Sequence, residues 1–272
     1  MTVQTRAMRN RLAAQTVIED LMDRHVVPTR SPLARLLGRS PLDEASVPWY
    51  YGATDDIAVG AALAKLPPEW TVFHSLPIGQ VRTEIGHLVV GPSGVFTITM
   101  KNPRGKSIWV FKRLLLVSGR RVSYLHDAEF AAERVTRVLR RRMPHLGAVK
   151  AVIALVEPSE VLIREKPADV KVIDARHLNG WLLNRTPVLD PRELMQIVTL
   201  VDDPATWGAQ PQVDHDHVMA RFAELDLDVR ASRRRRTAWM FWAAITVLAT
   251  VGVETVIVVQ VLGAMLSGSS LP

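Results

Sequence analysis

The stretch HLVVGPSGVFTITMKNPRG, residues 87–105, decides how the rest of the chain is read. Gly91-Pro92-Ser93-Gly94 has the chemistry of a tight turn. It separates Glu84–Val90 (EIGHLVV) from Val95–Lys101 (VFTITMK), two runs of strand composition, so a hairpin is expected. Side chains alternate along a strand. Thr97, Thr99 and Lys101 then share one face of the later strand, and Phe96, Ile98 and Met100 the other. In the earlier strand Glu84, Gly86 and Leu88 oppose Ile85, His87 and Val89.

Upstream, Asp55–Leu66 reads as an amphipathic helix capped by Thr54 and stopped by Pro67-Pro68. Trp70–Leu76 reads as a strand. Before Gly52 the chain reads as a helical lead-in followed by a segment broken at Pro28, Pro32, Pro41 and Pro48. Downstream, Lys106–Lys112 and Leu114–Val117 are expected strands, and His126–Arg142 a helix with Val135, Val138 and Leu139 on its apolar side. Val149–Val156 is apolar enough for a central strand and Val170–Ile173 is a shorter one. Ala175–Leu183 and Pro191–Leu200 are helices, the second opened by Asp190 and Pro191. The chain contains no cysteine, which excludes disulfides, thiolate metal sites and a cysteine nucleophile.

Gly52–Gly105 resembles the nuclease-related domain, NERD, a branch of the restriction-endonuclease-like PD-(D/E)XK fold. The resemblance is carried by HLVVGPSGVFTITMKNPRG with its Lys101-Asn102, and by GATDDIAVGAALAKLP at the start, which is similar to the family's opening helix. It continues weakly through Val110–Arg142. It implies a mixed α/β sheet flanked by helices. It also implies a site where an acid from each hairpin strand holds Mg²⁺, a lysine two residues beyond the second acid faces the phosphate, and a helix acid assists. On this chain those places fall on Gly86, Thr99, Lys101 and Asp56. Neither Gly86 nor Thr99 supplies a carboxylate, and a hard divalent cation needs anionic oxygens. No metal or other cofactor is therefore expected, Mg²⁺ entering only if other ligands have moved in. Glu84, about 7 Å from Gly86 along the strand, and Asp55 are the substitutes available. Against that, Glu84 reads as a solvated strand-end carboxylate, Asp55 and Asp56 as favourable charge at a helix N-terminus, His87 as a packed strand histidine, and Lys101 as a surface lysine.

The C-terminal region has a different character. From Ala238 to Val253 no residue is charged, and the apolar run resumes after Glu254. Arg233–Arg236 precede it, and Trp239 and Trp242 stand at its entry. Such a run fits one tilted span over 237–266. The basic flank predicts an N-in, C-out, single-pass protein of the cell membrane, its main domain in the cytoplasm and 267–272 outside. The first 25 residues hold no apolar core, so no signal peptide is expected. Glu254 and Gln260 fall inside the span; Glu254 fits a helix–helix contact that would make the span oligomeric, or a position one turn from the outer edge.

The expected organisation is a lead-in over 1–50, an α/β domain over 51–207, a linker over 208–236 ending in the Arg run, and the span. The formal net charge is +7, and the segment 238–272 contributes no cation to it. Arg134, Arg137 and Arg141 line one side of a helix, a candidate phosphate-binding surface and equally a set of cations placed favourably near a helix C-terminus. Three functions stay open. One is a membrane-anchored, catalytically degenerate pseudo-nuclease that binds nucleic acid or a protein partner. The second is an active metal-dependent nuclease with rearranged ligands, and the third a membrane scaffold with no nucleic-acid role.

Overall fold

A computed structural model describes residues 7–24, 30–78, 84–208 and 215–267. Contacts divide the chain into two units, Met1–Arg24 with Ala45–Met219, and His25–Glu44 with Ala220–Pro272.

The first unit is built on a five-stranded sheet in the order β1-β2-β3-β7-β9. Its strands are β1 (Thr71–Pro77), β2 (Glu84–Gly91), β3 (Gly94–Lys101), β7 (Lys150–Leu155) and β9 (Val170–Asp174). The first three are antiparallel neighbours, and β3, β7 and β9 run parallel. The hairpin forms where its turn predicts, with Gly91 opposite Gly94 at its tip. A second sheet, in the order β6-β5-β4-β8, comprises β4 (Ser107–Val110), β5 (Leu115–Val117), β6 (Arg120–Val122) and β8 (Glu160–Ile163). The sequence reading omits β6 and β8. Both are short, and β8 lies at an edge with its first and last residues exposed, so neither shows the apolar pattern of a buried strand.

Helices cover both faces of the main sheet. On one, α3 (Ser46–Leu63) and α5 (Leu178–Leu183) pack Val59, Leu63 and Leu182 onto Val89, Phe96 and Ile98. On the other, α4 (Tyr124–Arg140) and α6 (Pro191–Asp202) bring Val135, Leu139 and Ile197 against Leu88, Val90 and Ile153. Asp190 caps α6 in a capping box with Glu193, as its Asp-Pro opening implies.

The helix expected to begin after Thr54 begins at Ser46 instead. Pro48 sits in its first turn, where a backbone N–H has no intrahelical partner to lose. Thr54 is thus interior to the helix, and its hydroxyl donates back to the Tyr51 carbonyl at 3.1 Å. Asp55 and Asp56 are buried mid-helix, which removes the helix-terminus account of their charge. The lead-in forms α1 (Gln15–Arg24) in the first unit.

In the second unit, α2 (Pro32–Leu36) also opens on a proline, with the Ser31 hydroxyl accepting from Ala34 N. It packs beside α7 (His215–Ser267), which takes in most of the expected linker and the expected span as one helix. Among the described residues no helix is long and apolar enough to cross a membrane. The side chains of Glu254 and Gln260, and residues 268–272, lie outside the described residues.

Candidate functional site

Asp56 on α3 is the centre of the site. Its Oδ2 accepts from the Ala14 backbone N–H at 2.9 Å, and its Oδ1 lies 3.1 Å from Nε2 of the fully buried His87. That second approach has the distance of an ion pair without the alignment of a hydrogen bond. A Cβ built on Gly86 would stand 3.3 Å from Asp56 Oδ1. Gly86 and Asp56 therefore stand side by side.

The sequence reading turns Gly86 and His87 to opposite faces, yet both stand beside Asp56. The cause is local. β1 and β2 pair His74 with His87 and Leu76 with Ile85, but Ser75 between them has a left-handed φ of +47°. Strict alternation ends there, and Ile85 joins the buried cluster of Leu88 and Val90 instead of that of Val89. The same twist aims the Ser75 hydroxyl at the start of α1, where it accepts from Gln15 N at 3.1 Å.

His87 Nδ1 lies 2.8 Å from Nδ1 of His74, its cross-strand partner, so one proton is shared between the two rings. Burial, reinforced by His87, lowers the His74 pKa to about 4. Gly60 accommodates this pair, since a Cβ there would lie 3.4 Å from His74 Cε1 and 2.8 Å from Ala13 Cβ.

Glu84 is not the solvated carboxylate that its place at a strand end suggests. Burial raises its pKa to about 7 against a hydrogen bond with Thr16, with Asp56 adding repulsion. Its Oε2 has no hydrogen-bond partner among the described residues. Arg11 is its opposing cation, with its own pKa lowered by burial. Arg11, Ala14 and Thr16 all belong to the N-terminal segment, which thus covers the acids of the site.

Asp55 belongs to a separate network. Its Oδ2 accepts from Asn102 Nδ2 and its Oδ1 from Arg104 Nη2 at 3.0 Å. Arg104 continues to Glu157 at 2.7 Å and stacks 5.1 Å from the Tyr51 ring centroid. Burial raises the Asp55 pKa, and Arg104 and Asn102 oppose that. The Asn102 of the Lys-Asn pair is therefore a clasp between β3 and α3.

Lys101 departs from both groups. Its Nζ lies 4.7 Å from the Tyr124 ring centroid at the start of α4, and burial lowers its pKa while Asp127 raises it. Thr99 is half-buried on β3 beside Ile153 of β7. On α4, Arg134 donates to the Ile78 carbonyl at 3.1 Å, Arg137 pairs with Glu133 at 2.6 Å, and Arg141 is exposed at the C-cap. Among the described residues no group of three His, Asp or Glu side chains has the geometry to hold a metal ion.

The family model for the nuclease-related domain (NERD) matches residues 52–156. That stretch is a nuclease-related domain. No curated protein and no solved structure matches the chain. The nuclease-related domain supplies most of α3, the hairpin and β7, and so Asp55, Asp56, His87 and Lys101, whereas Arg11, Ala14 and Thr16 come from outside it. Sequence reasoning missed His74 and the N-terminal residues. Only the β1–β2 register brings His74 to His87, and no motif joins residues 11–16 to a site some 40 positions away.

The two shifted groups give opposing pH dependences. His74 titrates at about 4 when folded against 6.5 when free. The unfolded chain binds more protons between those values, so stability rises with pH there. Glu84 titrates at about 7 against 4.5. The folded chain binds more protons there, so stability falls as pH rises from 4.5 to 7. Over 4.5–6.5 the two slopes cancel, and urea denaturation should be nearly flat with pH. Glu84→Gln should unmask a rise and His74→Gln a fall. Parallel curves for the two variants would show that this pair does not control the dependence.

Proposed function

We propose that the nuclease-related domain works as a binding module without cleavage activity, held at the inner face of a membrane by the apolar part of α7. The observation that carries this is the use of the remaining acids. Ala14 N–H and His87 engage Asp56, and Asn102 and Arg104 engage Asp55, while Gly86 and Thr99 stand in the other two acid places. A metal-dependent phosphodiester cleavage needs open anionic ligands. The uncharged run 238–253 behind Arg233–Arg236 supports the membrane part of the reading. Exposed cations at Arg137 and Arg141 on α4 support nucleic acid as the ligand.

A second reading has one observation in its favour. Glu84, half-buried near Asp56 with one oxygen unpartnered among the described residues, supports an active nuclease whose ligands have moved.

The test uses the full chain in detergent with labelled DNA and RNA, in Mg²⁺ or Mn²⁺. No cleavage is expected. Retention of nucleic acid should fall with salt by about 0.9 log units per log unit for each neutralised duplex phosphate, and Arg137→Ala with Arg141→Ala should flatten that slope by about two phosphates. Cleavage lost in Glu84→Gln or Asp56→Asn selects the second reading. A protein that retains neither nucleic acid at low salt is left with the scaffold role.

A further inference from the structure

In the second unit, α2 is fixed alongside one level of α7. Gly38, with φ +73°, closes α2 so tightly that a Cβ there would fall 2.5 Å from both Arg236 N and the Ser232 carbonyl. Arg235 Nη1 donates to the Arg35 carbonyl at 3.2 Å, and Trp239 Nε1 to the Leu36 carbonyl at 3.0 Å. Arg30 bridges the two segments, reaching Ser232 Oγ at 3.1 Å, the Arg39 carbonyl at 2.9 Å and the Asp228 carboxylate. The side turned to α7 holds Ala34 and Gly38.

The other side is uncovered among the described residues. Leu33, Leu36 and Leu37 are 67%, 57% and 51% exposed, and Arg35 and Arg39 are exposed as well. Leu33 and Leu37 are four residues apart, and Leu33 and Leu36 three, so the leucines share a face. Trp239, Phe241 and Trp242 of α7 are exposed at the adjoining level. The Trp239 N–H is already satisfied by the Leu36 carbonyl, so the indole ring can enter an apolar layer without leaving a donor unpaired.

We propose that α2 and the Arg233–Trp242 segment of α7 form one contact surface for an anionic lipid bilayer. The leucines and indoles enter the boundary between headgroups and acyl chains, and Arg35, Arg39 and the Arg233–Arg236 run meet the phosphates. No acid lies between Asp228 and Glu254 on α7 or between Arg30 and Asp43 beside α2, so the charges carried by these two segments are of one sign. Exposed apolar side chains together with a run of arginines are the composition of interfacial anchors. The same charge disfavours a second copy of this chain as the occupant. The inference rests on the reading that the apolar part of α7 meets a membrane, but it does not require α7 to cross one.

The chain has no native cysteine, so single labels are clean. Leu36→Cys, Leu37→Cys, Leu227→Cys and Val251→Cys in the full chain would each carry an environment-sensitive fluorophore. The proteins would be reconstituted into phosphatidylcholine vesicles with and without phosphatidylserine, with quenchers placed on lipids at shallow or deep positions. Labels at Leu36 and Leu37 should be quenched several-fold by shallow quenchers, more so with phosphatidylserine, and the label at Leu227 should stay in water. Deep quenching at Val251 with no quenching at Leu36 and Leu37 overturns this inference and leaves the span standing. Shallow quenching at Leu36 and Leu37 without deep quenching at Val251 keeps the contact and removes the span. Quenching at Leu36 that ignores phosphatidylserine overturns the anionic assignment.

Discussion

Gly86→Asp with Thr99→Glu is expected to lower the unfolding midpoint in metal-free buffer and to regain most of it in Mn²⁺. The new Cβ would sit 3.3 Å from Asp56 Oδ1, with Glu84 already a repulsive neighbour of Asp56. An uncompensated buried charge costs about 3 kcal/mol or more. At about 2–4 °C per kcal/mol for a domain of this size, the midpoint should fall by about 6–12 °C. A cation bound at a hundred times its Kd returns about 2.7 kcal/mol. A strand glycine gives way readily to other residues where its surroundings are open, but the close approach to Asp56 makes this position unfavourable for an acid without metal. Thermal melts with and without Mn²⁺ check this directly. A variant that melts like the native chain in both buffers would mean that Gly86 and Asp56 are not neighbours.

The second large effect is expected at Asp56. Asp56→Ala removes the acceptor of the Ala14 N–H and the anion facing His87, both in buried surroundings. An orphaned buried donor costs about 1–3 kcal/mol and a lost hydrogen bond to a charged group a similar amount, so a loss of about 3 kcal/mol is expected in urea denaturation. Asp56→Asn keeps an oxygen for Ala14 and should cost less. Equal losses for the two variants would assign the effect to charge. An Ala variant as stable as the native chain would show that α1 is held by something else.

The fold was legible wherever local chemistry dictates it. The Gly91–Gly94 turn, the apolar Val149–Val156 run and the Asp190-Pro191 cap each led to the element observed. The start of α3 was not, because a proline signals a break only away from the first turn of a helix, and Pro48 is in that turn. The Gly86–Asp56 approach was legible through the resemblance. Its surroundings were not. Alternation along β2 predicts faces only while the strand is regular, and one left-handed residue on the neighbouring strand, Ser75, undoes the count. Lys101 could be placed on its strand but not directed, because the group that draws it, Tyr124, lies across a crossover. The burial of Glu84 depends on residues 11–16, which carry no motif of their own.

The N-terminal segment held over Asp56 and Glu84 has a thermodynamic consequence. Whatever approaches those carboxylates from solution meets a tethered competitor, present at an effective concentration set by the length of chain between α1 and α3 instead of by the amount of protein. Its grip is the Ala14 and Gln15 amides on Asp56 and Ser75. The apparent dissociation constant of any external ligand is then its intrinsic value divided by the fraction of molecules in which that grip is released.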